Sequence, residues 1–134
     1  MKMTCRILAW LAALLLLGGC SGKEKNEIPY RQISTSEAAA MMETETEYIR
    51  LDVRTQAEYE QGHIPGAICI PNETIGTTEI PELPDKDQLI LVYCRSGNRS
   101  KQASEKLVKL GYSNVVEFGG IQNWTGETVS GSGE

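Results

Sequence analysis

The seven residues Cys94-Arg95-Ser96-Gly97-Asn98-Arg99-Ser100 carry the types that chemistry needs. A thiol attacks only as thiolate, and its pKa falls at helix N-termini and beside cations. Both influences converge here. Arg95 and Arg99 supply charge, and a helix expected from Ser100 onward points its free N–H groups back at the loop. Gly97 and Asn98 tolerate a positive φ, so the loop can curl with its amides inward as an anion-binding nest. Cys94 at the floor of that cup is expected to be ionised and to receive a charged sulfur or oxyanion group.

Net charge sharpens this reading. The 134-residue chain has 13 basic and 18 acidic residues, a net charge of −5. Loss of an N-terminal segment bearing Lys2 and Arg6 leaves 11 against 18, or −7, which argues against nucleic acid as a partner. Yet Arg95, Arg99, Lys101, Lys106 and Lys109 cluster between Cys94 and Leu110, with Glu105 the one acid among them. A solvated helix face accounts for the lysines. It does not account for two arginines in a Gly/Asn/Ser loop, and an anion site does.

The elements that position the loop alternate along the chain. "YRQIS" (30–34) is a short strand, and Ser34 or Ser36 can cap the Ala-rich helix "SEAAAMMET" (36–44). "YIRLDV" (48–53) is a second strand. "TQAEYEQG" (55–62) reads as a helix with a Thr55/Glu58 capping box and Gly62 as its stop. "AICIP" (67–71) is a third strand, and the proline-interrupted segment 72–86 allows at most one helical turn. "QLILVY" (88–93) is the apolar run of a strand buried on both faces. Ala103, Leu107 and Leu110 mark the inner face of the next helix, ended by Gly111, and "VVEF" (115–118) is a fifth strand. Strands alternating with helices predict a parallel α/β sheet, with ligands beyond the carboxyl ends of its strands, where Cys94 stands.

The N-terminus reads as an export signal. Lys2 and Arg6 precede the apolar run Ile7 to Leu17, too short to remain as a spanning helix, and small residues follow. "LGGCSG" resembles a bacterial lipobox, which implies a signal over 1–19, lipid on Cys20 and an extracytoplasmic, membrane-anchored protein; the alternative is simple cleavage near Gly19. Residues 20–29 form a tether, 30–126 the domain and 127–134 a frayed tail. Of four cysteines, Cys5 leaves with the signal, and Cys69 and Cys94 remain in the fold. With no CxxC motif and His63 the lone histidine, a zinc site lacks ligands.

Three fragments, "LDVRTQAEYEQGHIPGAICIPN", "VYCRSGNRSKQASEKLVKLGY" and "VVEFGGIQNWTG", together resemble the single-domain rhodanese-type sulfurtransferases. The resemblance implies a mostly parallel five-stranded sheet with helices on both faces. It implies that Cys94 takes a sulfane sulfur as a persulfide, within a cradle of Arg95, Ser96, Gly97, Asn98 and Arg99. Arg99 would close that cradle, and Arg95 at the rim would attract an anionic donor such as thiosulfate. Asp52 and Arg54 resemble a pair that buttresses the loop, Asp52 finding its partner in a loop arginine or loop amides; the alternative is a surface ion pair. Ser100 opens the supporting helix. The strand of Cys69 would lie two strands from that of Cys94, about 9.6 Å at ordinary spacing and beyond disulfide reach. His63 and Trp124 are expected to be structural, and Gly119 and Gly120 to permit a tight turn near the loop. The chemistry needs no metal or cofactor, a monomer suffices, and the acceptor is a thiol or cyanide. Rival readings are a persulfide carrier for an envelope partner and a thiol-based phosphatase, whose loop would be one residue longer.

Overall fold

In the computed structural model, which describes residues 29–133, five strands and three helices follow one another as the alternation predicts. They are β1 (Arg31–Gln32), α1 (Thr35–Thr44), β2 (Tyr48–Asp52), α2 (Gln56–Gln61), β3 (Ile68–Cys69), β4 (Leu89–Cys94), α3 (Asn98–Lys109) and β5 (Val115–Gly120). Single 3-10 turns at Asn72–Thr74 and Ile121–Asn123 complete the set. The signal, Cys20 and tether assigned from sequence lie outside the described residues. No helix among the described residues is long and apolar enough to cross a membrane.

All strand pairings in the sheet are parallel, in the order β1-β5-β4-β2-β3. β4 is central and apolar on both faces, as its composition requires. Ile90 and Val92 pack with Ala103 and Leu107 of α3, while Leu91 and Tyr93 pack with Ala38 of α1 and Tyr59 of α2. The period of two therefore places Cys94 on the α3 face.

Local signals explain most element ends. Ser34, rather than Ser36, caps α1, its hydroxyl accepting the Glu37 N–H at 3.1 Å. Thr55 and Glu58 form the reciprocal capping box of α2. Gly62 follows α2 in extended backbone, so it ends the helix without left-handed geometry. Gly111, at φ +97°, does adopt that geometry after α3.

Three boundaries depart from expectation. α3 begins at Asn98 instead of Ser100, because Gly97 at φ +112° completes the turn alone and Asn98 is already helical. β5 runs on through Gly119 and Gly120, so these glycines lie within the strand and not in a turn. The C-terminal segment is tied down instead of frayed. His63 and Val129 exchange backbone hydrogen bonds of 2.8 Å, and the Gly131 N–H donates to the Glu60 carbonyl at 2.9 Å. Those bonds are made by backbone, which carries no side-chain signature in the sequence.

Candidate active site

β4 delivers Cys94 to the sheet's C-terminal edge with only 1% of its surface exposed. The neighbouring β5 makes room for the loop beyond Cys94. Its register with β4 runs Ile90↔Val115, Leu91↔Val116 and Val92↔Glu117, then slips to Cys94↔Gly120. One extra residue on β5 forms a bulge, and Gly119 at φ +86° takes the conformation that a bulge favours. Gly120 serves a different need. A Cβ there would stand 1.9 Å from the Arg95 carbonyl oxygen, so glycine alone lets the loop lie against β5. The Gln122 N–H then holds the same carbonyl at 3.3 Å.

From this seat the chain turns back over the sulfur. The Gly97 N–H donates to Cys94 Sγ at 3.0 Å, and Ser100 Oγ lies 3.4 Å from the sulfur. Burial is the largest single influence on the thiol and pushes its pKa up. Hydrogen bonds from the Ser100 hydroxyl, and from the amides of Ser100, Gly97 and Ser96, together outweigh it and leave the pKa lowered. The acidity therefore comes from amides and a hydroxyl at the α3 N-terminus. This amends the expectation that both loop arginines act directly on the sulfur.

Arg99 points elsewhere. Its guanidinium forks onto Glu58 of α2 at 2.7 and 2.9 Å, so it latches the loop to α2 instead of closing the cup. The same contact holds the Glu58 carboxyl down to about 2. Arg95, Ser96 and Asn98 are exposed at the rim. Beside them lies an open cleft of roughly 560 Å³ whose lining includes Arg54, Glu58, Arg95, Gln122 and Thr128.

Asp52 and Arg54 form a buried pair, with side chains 0% and 7% exposed, which rules out the surface-pair alternative. Asp52 also accepts the Arg54 backbone N–H at 2.9 Å, and Arg54 Nη2 donates to the Gly62 carbonyl at 2.7 Å. The partner of Asp52 is thus Arg54 itself, not a loop arginine or a loop amide. The pair fixes the end of β2 to the end of α2, and α2 reaches the loop through Glu58. Its support of the loop is indirect.

Cys69 pairs in register with Asp52 on β3, two strands from β4, and both described cysteines are free thiols. Burial first, and then the Asp52 charge, push the Cys69 thiol up to about 11, so it stays protonated and packs as an apolar group. His63 is buried with Nδ1 2.8 Å from the Tyr59 carbonyl oxygen and its ring stacked on Tyr59 at 3.7 Å. Trp124 packs toward Phe118, and its Nε1–H donates to the Glu127 carbonyl. Both are structural.

One residue escaped the sequence reading. Glu117 is 3% exposed, and its Oε1 accepts the Ser100 hydroxyl at 2.6 Å and the Gly119 N–H at 2.8 Å. The signal it did give was a carboxylate inside the apolar strand "VVEF", where an unpaired charge is costly. No group of three or more His, Cys, Asp or Glu that could hold a metal occurs among the described residues.

An acidified thiol thus lies beneath backbone amides, at the carboxyl edge of a five-stranded parallel sheet. The chain belongs to the rhodanese-like domain family, whose model matches residues 34–127. It is 37% identical over 81 residues to the thiosulfate sulfurtransferase PspE of Escherichia coli, covering 60% of this chain and 78% of that one. A sulfurtransferase of Allochromatium vinosum is 42% identical over 91 residues, covering 66% and 83%. Among solved structures, a rhodanese with anions from E. coli superposes with a TM-score of 0.58 at 36% identity, over 63% of this chain and 99% of that one. A rhodanese-like domain from Anabaena gives 0.66 at 28% identity, over 76% and 79%. The protein is a rhodanese-type sulfurtransferase.

Proposed function

We propose that Cys94 carries the sulfur, taking a sulfane sulfur from thiosulfate or a similar anionic donor and passing it to a thiol or to cyanide. The observation that supports this most is the Gly97 amide on the Cys94 sulfur at 3.0 Å, within a cup of further amides at the start of α3. The thiolate attacks the outer sulfur of thiosulfate, the S–S bond of the donor breaks, and sulfite leaves with the electron pair. The new terminal sulfur bears the negative charge, and the loop amides of Ser96, Gly97, Asn98 and Arg99 are suited to hold it. Arg95 at the rim draws the dianion in. Attack by the acceptor on that outer sulfur returns Cys94 as thiolate, which is the leaving group. No metal, cofactor or histidine base enters this cycle.

Asp52 and Arg54 serve this cup as supports through α2, and Ser100 serves it directly. The envelope reading belongs to the same proposal. Lipid on Cys20 would tether a monomeric enzyme through residues 21–29 on the outer side of a membrane, away from nucleic acid, and labelled fatty acid should be absent from a Cys20→Ala chain.

The test is intact mass after thiosulfate treatment of the fully reduced protein, beside Cys94→Ser. A gain of about 32 Da, absent from the variant and removed by cyanide, is the expected result. A reduced protein that gains no sulfur overturns the reading, and aryl-phosphate hydrolysis by the same sample would support a phosphatase.

A further inference from the structure

Ser100 Oγ occupies an unusual place, because almost everything around it accepts. Glu117 Oε1 is 2.6 Å away, the Gly97 carbonyl 2.9 Å and the Gly119 carbonyl 3.4 Å, and Cys94 Sγ is the fourth neighbour at 3.4 Å. A hydroxyl has one proton to give. While Cys94 is a thiol, its S–H donates to Ser100 and the Ser100 proton goes to Glu117, so sulfur, hydroxyl and carboxylate are each satisfied. When Cys94 becomes a thiolate, sulfur and carboxylate compete for that single proton.

We propose that Glu117 is a positioning residue for sulfur transfer: through the Ser100 hydroxyl, its buried carboxylate controls how much hydrogen bonding the Cys94 sulfur receives. The proposal rests on Cys94 being the sulfur-carrying nucleophile. The competition matters at two points in the cycle. In the persulfide, Sγ is a neutral bridging sulfur and needs no donor, so the Ser100 proton rests on Glu117. As the acceptor removes the outer sulfur, the bond between the two sulfurs breaks and Sγ takes the electron pair. The Ser100 O–H then swings toward it. Glu117 thus holds back a donor that is released only as charge returns to Sγ. It also keeps the resting thiolate less stabilised, and so more nucleophilic, than the amide cup and a freely donating Ser100 together would make it.

The geometry leaves few other controllers. Val92 and Glu117 are register partners, which puts the carboxylate on the α3 face beneath the loop. From α3 come Ser100 and Arg99, the latter engaged by Glu58 of α2. Asp52 on β2 is neutralised by Arg54. Tyr30, ahead of β1, is held in its neutral form by burial first, with the Glu105 and Glu117 charges adding to that effect. Glu117 is the carboxylate that touches the sulfur's own donor.

The experiment is site-resolved iodoacetamide alkylation of Cys94 in the full chain, as a function of pH. Glu117→Gln keeps an oxygen for the Gly119 N–H but competes less for the Ser100 proton. Its alkylation midpoint should fall by about half to one pH unit. Ser100→Ala should raise the midpoint, and in that background the Glu117→Gln shift should shrink by at least half. An unmoved or raised midpoint in folded Glu117→Gln, or an equal shift with and without Ser100, overturns the proposal. If that variant does not fold, the wild type carries the test by infrared difference spectroscopy between the thiolate and alkylated forms. A carboxylate band that moves in wild type and not in Ser100→Ala supports the coupling, and its absence from wild type overturns it. Sulfur uptake on the same samples separates the two readings. Coupling without uptake sinks only the function, and uptake without coupling sinks only the role of Glu117.

Discussion

Two glycines at the site do different work, and the difference predicts different failures. Gly97 supplies a left-handed turn, while Gly120 supplies absence of bulk beneath the Arg95 carbonyl. Gly120→Ala must drive backbone from backbone, since the nearest atom is the Arg95 oxygen at 1.9 Å and no rotamer change relieves it. We expect a loss of about 2–3 kcal/mol in urea unfolding. Displacing the loop by about 1 Å should cost roughly 100-fold in sulfur transfer, read as the rate of persulfide formation. An alanine protein of wild-type rate would show that the loop is not seated by this contact. The thiol makes its own prediction. With a lowered folded-state pKa, Cys94 is thiolate over a range where a free cysteine is still protonated, so its alkylation midpoint should lie below that of the same chain unfolded in urea. At this scale the sequence was informative because Cys, Gly and Arg each act through a property of the residue type. Glu117 was missed because burial of a carboxylate depends on a partner 17 residues away.

Among the elements, α2 is short, six residues, and is held from both ends. Its N-terminus carries the capping box, and the residue after its C-terminus receives Arg54. Glu58 serves the box and the Arg99 fork at once, so Glu58→Gln should cost about 1–2 kcal/mol, seen as a melting temperature several degrees lower. The pH dependence has a definite sign. The folded-state pKa of Glu58 is depressed to about 2, so its stabilisation is complete above the ordinary carboxyl value of 4.5 and is lost as pH falls toward 2. Acid melts of wild type and Glu58→Gln should therefore draw together from about pH 4.5 downward, converge at about pH 2, and stay fully separated above pH 5. Parallel curves would show that Glu58 stabilises only as a cap. The capping box was legible in "TQAE" because its two partners are three residues apart. The Arg99–Glu58 fork was not, because it spans 41 residues and depends on how α2 and α3 sit across the sheet edge.

For the whole molecule, the sheet and its order rest on an alternation visible in the apolar pattern. A central strand without polar residues needs cover on both faces, and the three helices divide between them. The C-terminal segment obeys a different logic. Its residues are small and polar, so its sequence predicts fraying, yet its backbone pairs with His63 and Glu60. His63 explains the attachment. Its ring is locked on Tyr59, its Nδ1 is engaged, and its own N–H and C=O face outward as an unpaired edge for Val129 to complete. Thr128, next to that bridge, is part of the wall of the cleft at Arg95. Under the proposed function, stability and donor binding would meet in this one short strap. A chain ending at Gly126 should melt several degrees lower, since three backbone hydrogen bonds worth about 0.5–1.5 kcal/mol each are lost and the entropy of ordering the strap offsets part of that. With one cleft wall gone, KM for an anionic donor should rise several-fold, while kcat stays within about twofold because the cup around Cys94 is untouched. A fall in kcat with KM unchanged would place the strap's influence on the loop itself. Unchanged values of both, at a lower melting temperature, would leave it a purely structural clasp.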